Sequence, residues 1–324
     1  MNSKLFDDTS TTDDVLKGID LSGKRVLITG VSAGLGVETA RALAAHGAQV
    51  VGAVRDVAKA KQATSHIPGI ELVELDLTSL ASVRACTDAL VKEGRSFDLV
   101  IGNAGVMATP FGRTKDGFET QFGTNHLGHF LFINRLLPLL KKGSRVIVLS
   151  SAGHRYSDAD LDDPNFERTE YTPMAAYGRS KTANILFAVE FDRRHRAQGI
   201  RAAAVHPGGI KTELTRHIGD EGIEKTIAMI NEKARAEGLP EFRWKSIPQG
   251  AATTVWAAAK ASAEEIGGRY CEDCHVAEMV DSLDPAIRHG VRPYATDGVR
   301  AKQLWTLSEK MVGETFEAVI EPAR

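Results

Sequence analysis

Between residues 24 and 205 the chain repeats one phrase: a short run of aliphatic and β-branched residues, then a longer stretch whose apolar positions recur with the helical period. The runs at 25–29, 49–54, 70–75, 99–102, 145–149 and 201–205 are largely apolar rather than alternating. Strands buried on both faces read that way, and they occur in parallel sheets covered by helices on both sides. The pattern predicts an α/β fold with a doubly wound, mostly parallel sheet. Helical period is clearest over 35–46, which stops at Gly47, and over 182–196, which ends in a basic turn before Gly199. Cations in a last turn complement the helix dipole, so Arg193, Arg194 and Arg196 read as a helix end rather than a nucleic-acid patch.

No internal repeat, proline-rich linker or low-complexity tract divides the chain. We expect one domain over 21–324, preceded by a polar N-terminal extension over 1–20. It carries an insertion at 154–172 and a substrate lid at 214–246, whose charged helical stretch runs 216–245. With 324 residues, 43% hydrophobic and 25% charged, the chain can bury a sizeable core, which excludes disorder, collagen and coiled coil. A formal net charge of -2 gives no general attraction for nucleic acid or anionic membrane. The most apolar window, 130–140, is interrupted by Asn134, Arg135 and Pro138, so no membrane span is expected. The first residues are polar and acidic, unlike an export signal. Cys86, Cys271 and Cys274 are too few for a disulfide framework and suit a reducing compartment. The expectation is a soluble, cytoplasmic protein.

Two strings imitate metal sites. Cys271-x-x-Cys274-His275 lacks a second ligand pair. The run Asp158, Asp160, Asp162, Asp163 places Asp163 and Thr169 where a calcium loop requires glycine and glutamate. Structural thiols and a solvated loop are the readings, with no metal.

The strand at 25–29 runs into Gly30, Gly34 and Gly36 before a helix. Glycines at such a turn let the backbone approach a pyrophosphate, whose charge is stabilised by amides at the helix N-terminus. The spacing differs from the fingerprint G-x-G-x-x-G, so context carries the reading. After the second strand Val54 is followed by Arg55, with no carboxylate at the strand end. An arginine there meets a ribose 2′-phosphate, which favours NADP(H) and leaves NAD(H) as the alternative. Tyr177 and Lys181 stand four residues apart, hence on one helical face. A nearby positive charge lowers a tyrosine pKa and suits the phenol to proton exchange with a carbonyl or alcohol. Taken alone, Tyr-x-x-x-Lys fits an ordinary amphipathic helix.

In chain order, Thr29-Gly30-x-x-x-Gly34-x-Gly36, Asn103-Ala104-Gly105, Asn125, Ser150-Ser151, Tyr177-x-x-x-Lys181 and Pro207-Gly208 resemble the short-chain dehydrogenase/reductase superfamily over residues 20–270. Thr124-Asn-His-Leu-Gly-His-Phe-Leu131 and Tyr177-Gly-Arg-Ser-Lys-Thr-Ala-Asn-Ile-Leu186 are similar to the branch holding retinol dehydrogenases, the WW-domain oxidoreductase and light-dependent protochlorophyllide reductases. The resemblance implies a Rossmann fold of about seven strands, the seventh at 268–270. It implies Tyr177 as acid and base, Lys181 as ribose ligand, Ser151 as hydrogen-bond partner of the substrate oxygen, and Asn125 as holder of a relay water. Gly30, Ser32, Gly34, Leu35, Gly36, Arg55, Asp76, Leu77, Asn103, Ala104, Gly105, Tyr177, Lys181, Pro207, Gly208, Ile210 and Thr212 would contact the dinucleotide. Tyr177 follows Ser151 by 26 positions, longer than the superfamily's usual offset, so the extra residues loop out.

The same resemblance implies hydride exchange between nicotinamide and a carbonyl or alcohol, in a homodimer or homotetramer. A hydrophobic ketone, aldehyde or secondary alcohol is expected because Met107, Phe166, Leu214 and Ile218 lie near segments that should border the pocket. Light-driven reduction of a ring double bond, and a cofactor-sensing interaction protein without turnover, are the other two readings.

Overall fold

The computed structural model describes residues 6–282, 287 and 289–317. Residues 1–5 of the N-terminal extension, and 283–286, 288 and 318–324 of the expected domain, lie outside the described residues. The strands are β1 (Arg25–Thr29), β2 (Gln49–Val54), β3 (Glu71–Glu74), β4 (Phe97–Gly102), β5 (Leu140–Leu149), β6 (Arg201–His206), β7 (Arg269–Glu272) and β8 (His275–Val276). They form one sheet in the order β3-β2-β1-β4-β5-β6-β7-β8. The strands from β3 to β7 are parallel, and β8 returns antiparallel to β7.

About seven strands were expected and eight are present. Asp273 and Cys274 adopt φ of 48° and 57°, the left-handed pair that turns β7 back as a two-residue hairpin. β7 is correspondingly displaced to Arg269–Glu272 from the expected 268–270. β5 begins before its apolar run because its exposed first turn, with Lys141 and Lys142, still extends towards β4 through the pair Phe97 and Leu140.

Helices cover both faces: α1 (Thr12–Leu16), α2 (Gly34–Ala45), α3 (Val57–Ala63), α4 (Leu80–Glu93), α5 (Thr120–Phe122), α6 (Gly128–Arg135), α7 (Pro173–His195), α8 (Asp220–Ala236), α9 (Ile247–Val255), α10 (Ala263–Ile266) and α11 (Gly298–Val312). A π turn, Gly123–Leu127, joins α5 to α6. Alternation along each strand feeds two cores. On β5, Val146 and Val148 pack with α4, α6, α7 and α11, while Ile147 and Leu149 pack with α1, α2 and α9.

Three expectations change. The N-terminal extension is docked: Thr11 and Asp14 form a capping box, and Val15 and Leu16 of α1 are fully buried against the second core. The 154–172 insertion is no solvated loop, since His154, Ala159, Asp163 and Phe166 are buried. The Asp163 carboxylate is occupied by the backbone amides of Glu167, Arg168 and Thr169. α7 starts at Pro173, well before 182, because Thr172 caps it and proline suits the first helical position. Its polar residues from Tyr177 to Lys181 mask the apolar period.

At its other end, Arg193 and Arg194 both pair with buried Glu190, and Arg194 lies 4.2 Å from the centroid of the Trp305 ring. The three cysteines are buried free thiols. Among the described residues no cluster of histidine, cysteine, aspartate or glutamate could hold a metal ion. Among them, too, no helix is long and apolar enough to cross a membrane.

Candidate active site

In doubly wound sheets ligands bind beyond the carboxyl ends of the strands where the winding reverses. Here that point lies between β1 and β4, and a cleft of roughly 2090 Å³ opens there. Drug-sized sites measure about 300–1,000 Å³, so this cleft has room for a dinucleotide and a second molecule.

Gly30, Ser32, Gly34, Leu35, Gly36, Arg55, Asp76, Leu77, Asn103, Ala104, Gly105, Pro207, Gly208, Ile210 and Thr212 all line the cleft, together with Ser151, Tyr177 and Lys181. So do Met107, Leu214 and Ile218. Asn125 lies beneath it. Phe166 turns inward instead, with Tyr171 edge-on to its ring and Arg179 3.8 Å from the ring centroid, so its expected place near the pocket is corrected.

The glycine turn is a cradle that side chains would fill. A Cβ on Gly36 would stand 2.2 Å from the Gly30 carbonyl oxygen, and one on Gly30, whose φ is +77°, would stand 2.9 Å from Ala104. Asn103 Nδ2 fastens the turn by donating to the Thr29 and Gly30 carbonyls at 2.8 and 3.2 Å. α2 begins after Ala33, which offers no side-chain cap, so its first-turn amides face the cleft without one. Bare backbone amides at a helix start and a floor without side chains fit a pyrophosphate.

At the far end Arg55 is exposed and makes no hydrogen bond or ion pair among the described residues, while Asp56 is spent capping α3 through the Lys59 amide. Asp76 does not cap α4, a role taken by Ser79. Its carboxylate accepts from Thr78 and Lys115. Burial raises the Asp76 pKa, but those bonds outweigh it and the carboxyl lies below its ordinary value.

Tyr177 and Lys181 come side by side on α7, with Lys181 Nζ 5.6 Å from the phenol ring centroid. The Tyr177 ring and Ser151 Oγ meet over Gly153, where an added Cβ would stand 3.3 Å from Ser151 Oγ. Ser151 Oγ accepts from the Gly153 amide at 3.0 Å. Ser150 points the other way and donates to the Lys181 carbonyl at 2.9 Å. The ring lies flat against Gly153, where a Cβ would approach Tyr177 Cε1 to 2.7 Å. Lys181 Nζ and Asn184 Nδ2 both donate to the Leu149 carbonyl at the end of β5, each at 3.0 Å.

One electrostatic expectation reverses in the chain alone. Burial pushes the Tyr177 phenol up to about 12 instead of down, with only partial relief from Ser151. Burial likewise pushes Lys181 down to about 8. Burial thus disfavours the charged form of both groups.

Asn125 sits in the π turn with its amide fully engaged. Nδ2 donates to the Val106 carbonyl and Ser180 Oγ, both at 2.9 Å, and Oδ1 accepts from the Val106 amide at 2.8 Å. Ser180 Oγ in turn donates to the Tyr177 carbonyl at 2.8 Å.

Several participants escaped the sequence reading. His154 Nδ1 donates to the Ser151 carbonyl at 2.7 Å, and its Nε2 accepts from the Arg292 amide at 3.2 Å. His206 Nδ1 accepts from the amides of Ala152 and Gly208, both at 3.3 Å. Lys245, near the end of the 214–246 segment, pairs with Asp273 at 2.5 Å and packs its stem on Gly208. Histidine four residues after Asn125 on one helical face was the one available signal, since i and i+4 adjoin.

Burial pushes His126 down to about 3, and His129 and His154 to about 4, from an ordinary 6.5. The unfolded chain therefore binds more protons than the folded one as pH falls from about 6.5 towards 4. Stability contributed by these neutral rings is present above that window and is lost on descending through it. The urea midpoint is expected to fall between pH 7 and pH 5; a midpoint constant over that range contradicts the assignment.

A family model described as enoyl-(acyl carrier protein) reductase matches residues 30–239. Over 315 residues the chain is 41% identical to short-chain dehydrogenase/reductase prx1 of Penicillium roqueforti, covering 93% of this chain and 90% of that protein. It is 38% identical to retinol dehydrogenase 14 of Homo sapiens, covering 90% of this chain and 87% of the relative. A solved structure from Mycobacterium paratuberculosis superposes with a TM-score of 0.73 at 34% identity, covering 95% of this chain and 99% of that one. With the family match spanning more than half of its length and these relatives nearly all of it, this chain belongs to the short-chain dehydrogenase/reductase family of NAD(P)-dependent oxidoreductases, in the branch of the retinol dehydrogenases.

Proposed function

We propose that the protein is an NADP(H)-dependent oxidoreductase that interconverts a carbonyl and an alcohol on a hydrophobic substrate. The observation that carries this reading is the convergence of Tyr177, Ser151 and Lys181 in the same cleft as the glycine turn, with Lys181 Nζ 5.6 Å from the centroid of the Tyr177 ring. The dinucleotide, when bound, supplies or accepts hydride; the protein supplies position, polarity and proton traffic.

Gly30, Gly34 and Gly36 would hold the pyrophosphate, and Asp76, Leu77 and the 103–105 loop would border the adenosine half. Ser32, Leu35, Pro207, Gly208, Ile210 and Thr212 would complete the cofactor contacts. Tyr177 gives a proton to the substrate oxygen in reduction and takes one in oxidation. The Ser151 hydroxyl hydrogen-bonds that oxygen as charge develops. Lys181 would bind ribose hydroxyls. A bound, positively charged nicotinamide would add stabilisation of phenolate. Asn125 would serve proton traffic from beneath, by holding the Val106 and Tyr177 backbones and a relay water.

The substrate end is supported as apolar by Met107, Leu214, Ile218, Met229 and Trp244 around the cleft. Segment 214–246, built on α8 with Ala234 its one buried hydrophobic among the described side chains, would act as the lid. Three buried thiols suit a cytoplasmic setting.

Arg55 is read as the 2′-phosphate contact because it reaches the cleft uncommitted. Arg55→Ala is expected to raise the KM for NADPH on the order of tenfold, the size of one lost charge-assisted contact, with little change for NADH. Equal effects on the two cofactors would remove the preference for NADP(H). The reading as a whole is tested by following NADPH oxidation against a panel of hydrophobic ketones and aldehydes; cofactor binding without oxidation across the panel counts against it.

A further inference from the structure

The least explained group beside the cleft is His129, an imidazole 3% exposed near the start of α6. Both ring nitrogens are used. Nδ1 lies 3.0 Å from the Asn125 backbone oxygen, and Nε2 lies 2.9 Å from Thr29 Oγ1. A carbonyl oxygen can only accept, so Nδ1 carries a proton. Thr29 Oγ1 accepts the Ala104 amide at 2.9 Å and retains its own proton to donate. Among the described residues no carboxylate pairs with the ring, and burial with the charge of Lys181 nearby keeps it neutral. Nε2 is therefore the acceptor of the Thr29 hydroxyl. Every hydrogen in this chain of contacts is assigned, and only one tautomer satisfies it.

The Thr29 bond joins segments 100 residues apart, and the Asn125 bond fastens the ring to the preceding turn of its own helix. On one side Thr29 ends β1 at the glycine turn and holds the 103–105 loop through Ala104. On the other, Asn125 holds Val106 at both backbone groups and reaches the Tyr177 carbonyl through Ser180. Space for the ring is left by Gly102 at the end of β4, where a Cβ would meet His129 Cδ2 at 3.1 Å.

We propose that His129 is a positioning residue: a neutral crosslink, protonated at Nδ1, that fixes the glycine turn relative to the α7 helix bearing Tyr177 and Lys181. The inference rests on the oxidoreductase reading for its effect on turnover. Small misplacements of reacting groups are costly, so loosening this tie should reduce kcat with little change in ground-state binding.

His129→Phe keeps a ring and removes both bonds. His129→Gln keeps a donor and an acceptor with nearly the imidazole separation. For the phenylalanine variant kcat is expected to fall roughly 10- to 100-fold, with the NADPH Kd and substrate KM within about threefold of the parent. Glutamine should recover most of the loss. Thermal midpoints recorded in parallel separate positioning from stability, because a merely structural role lowers the midpoint and leaves kcat intact below it. Parental kcat in His129→Phe, or glutamine no better than phenylalanine, would overturn the proposal.

Should the phenylalanine variant fail to fold, ¹⁵N spectra of the imidazole in the unmodified, ligand-free protein decide. An Nδ1–H tautomer that does not titrate between pH 5 and pH 8 is required, and an Nε2–H or titrating ring contradicts the tie. That spectrum involves no turnover, so it remains decisive for the crosslink even if the oxidoreductase reading fails.

Discussion

Tyr177→Phe is expected to lower kcat by roughly 10²- to 10⁴-fold, the range supplied by a positioned acid or base, while NADPH still binds. The hydroxyl is the one atom removed. The ring keeps its place against Gly153, and Ser151 keeps the Gly153 amide as donor. Even a lost hydrogen bond costs only about 1 kcal/mol of stability, too little to unfold a domain of ordinary stability. The glycine turn and Arg55 are untouched, so fluorescence titration should give an NADPH Kd close to the parental one. A kcat near the parental value removes Tyr177 from the proton pathway.

Gly36→Ala tests the other half of the site and is expected to reduce dinucleotide affinity on the order of 100-fold, about 2.7 kcal/mol. The new methyl carbon cannot sit 2.2 Å from the Gly30 carbonyl oxygen, and Asn103 Nδ2 blocks it at 2.6 Å. Either the turn opens or the start of α2 shifts. Both move the backbone amides that would face a pyrophosphate, and both disturb the bond by which Asn103 fastens the turn. The turn lends Val31 to the second core, whose other buried members lie outside the loop, so the variant should retain a cooperative thermal transition. Titration with NADPH gives the answer, and parental affinity would show that the phosphate does not lie over Gly36.

The sheet was legible because strands buried on both faces are written as unbroken apolar runs, of which Val26 to Ile28 and Val146 to Leu149 are plain cases. The hairpin at β8 was not. Its turn uses Asp273 and Cys274 with positive φ, where glycine or asparagine is the usual signal, and so left no mark. The docking of α1 was hidden for a different reason: two buried apolar residues, Val15 and Leu16, are too few to register as a periodic face. The early start of α7 was concealed by the functional residues themselves, since a helix that turns Tyr177, Ser180 and Lys181 towards polar work loses its apolar stripe there.

At the site, residues set by backbone geometry could be read from order and spacing. Glycines at 30, 34 and 36, and Tyr177 four before Lys181, carry their reason in the local chain. Contacts made across the fold could not. His154 accepting the Arg292 amide, His206 accepting the Ala152 amide and Lys245 on Asp273 depend on tertiary approach between segments more than 25 residues apart. The sign of the Tyr177 pKa was misread because charge proximity is visible in a four-residue spacing, whereas burial is a property of the folded chain. In this protein burial is the larger influence on both Tyr177 and Lys181.

The most direct measurement is the fate of deuterium placed at C4 of the nicotinamide in NADPH, followed by mass spectrometry with a ketone that the protein reduces. One deuterium is expected on the carbinol carbon of the product, from only one of the two C4 faces. Product carrying no deuterium, with the label retained on the cofactor or released to water, would contradict direct transfer within this cleft.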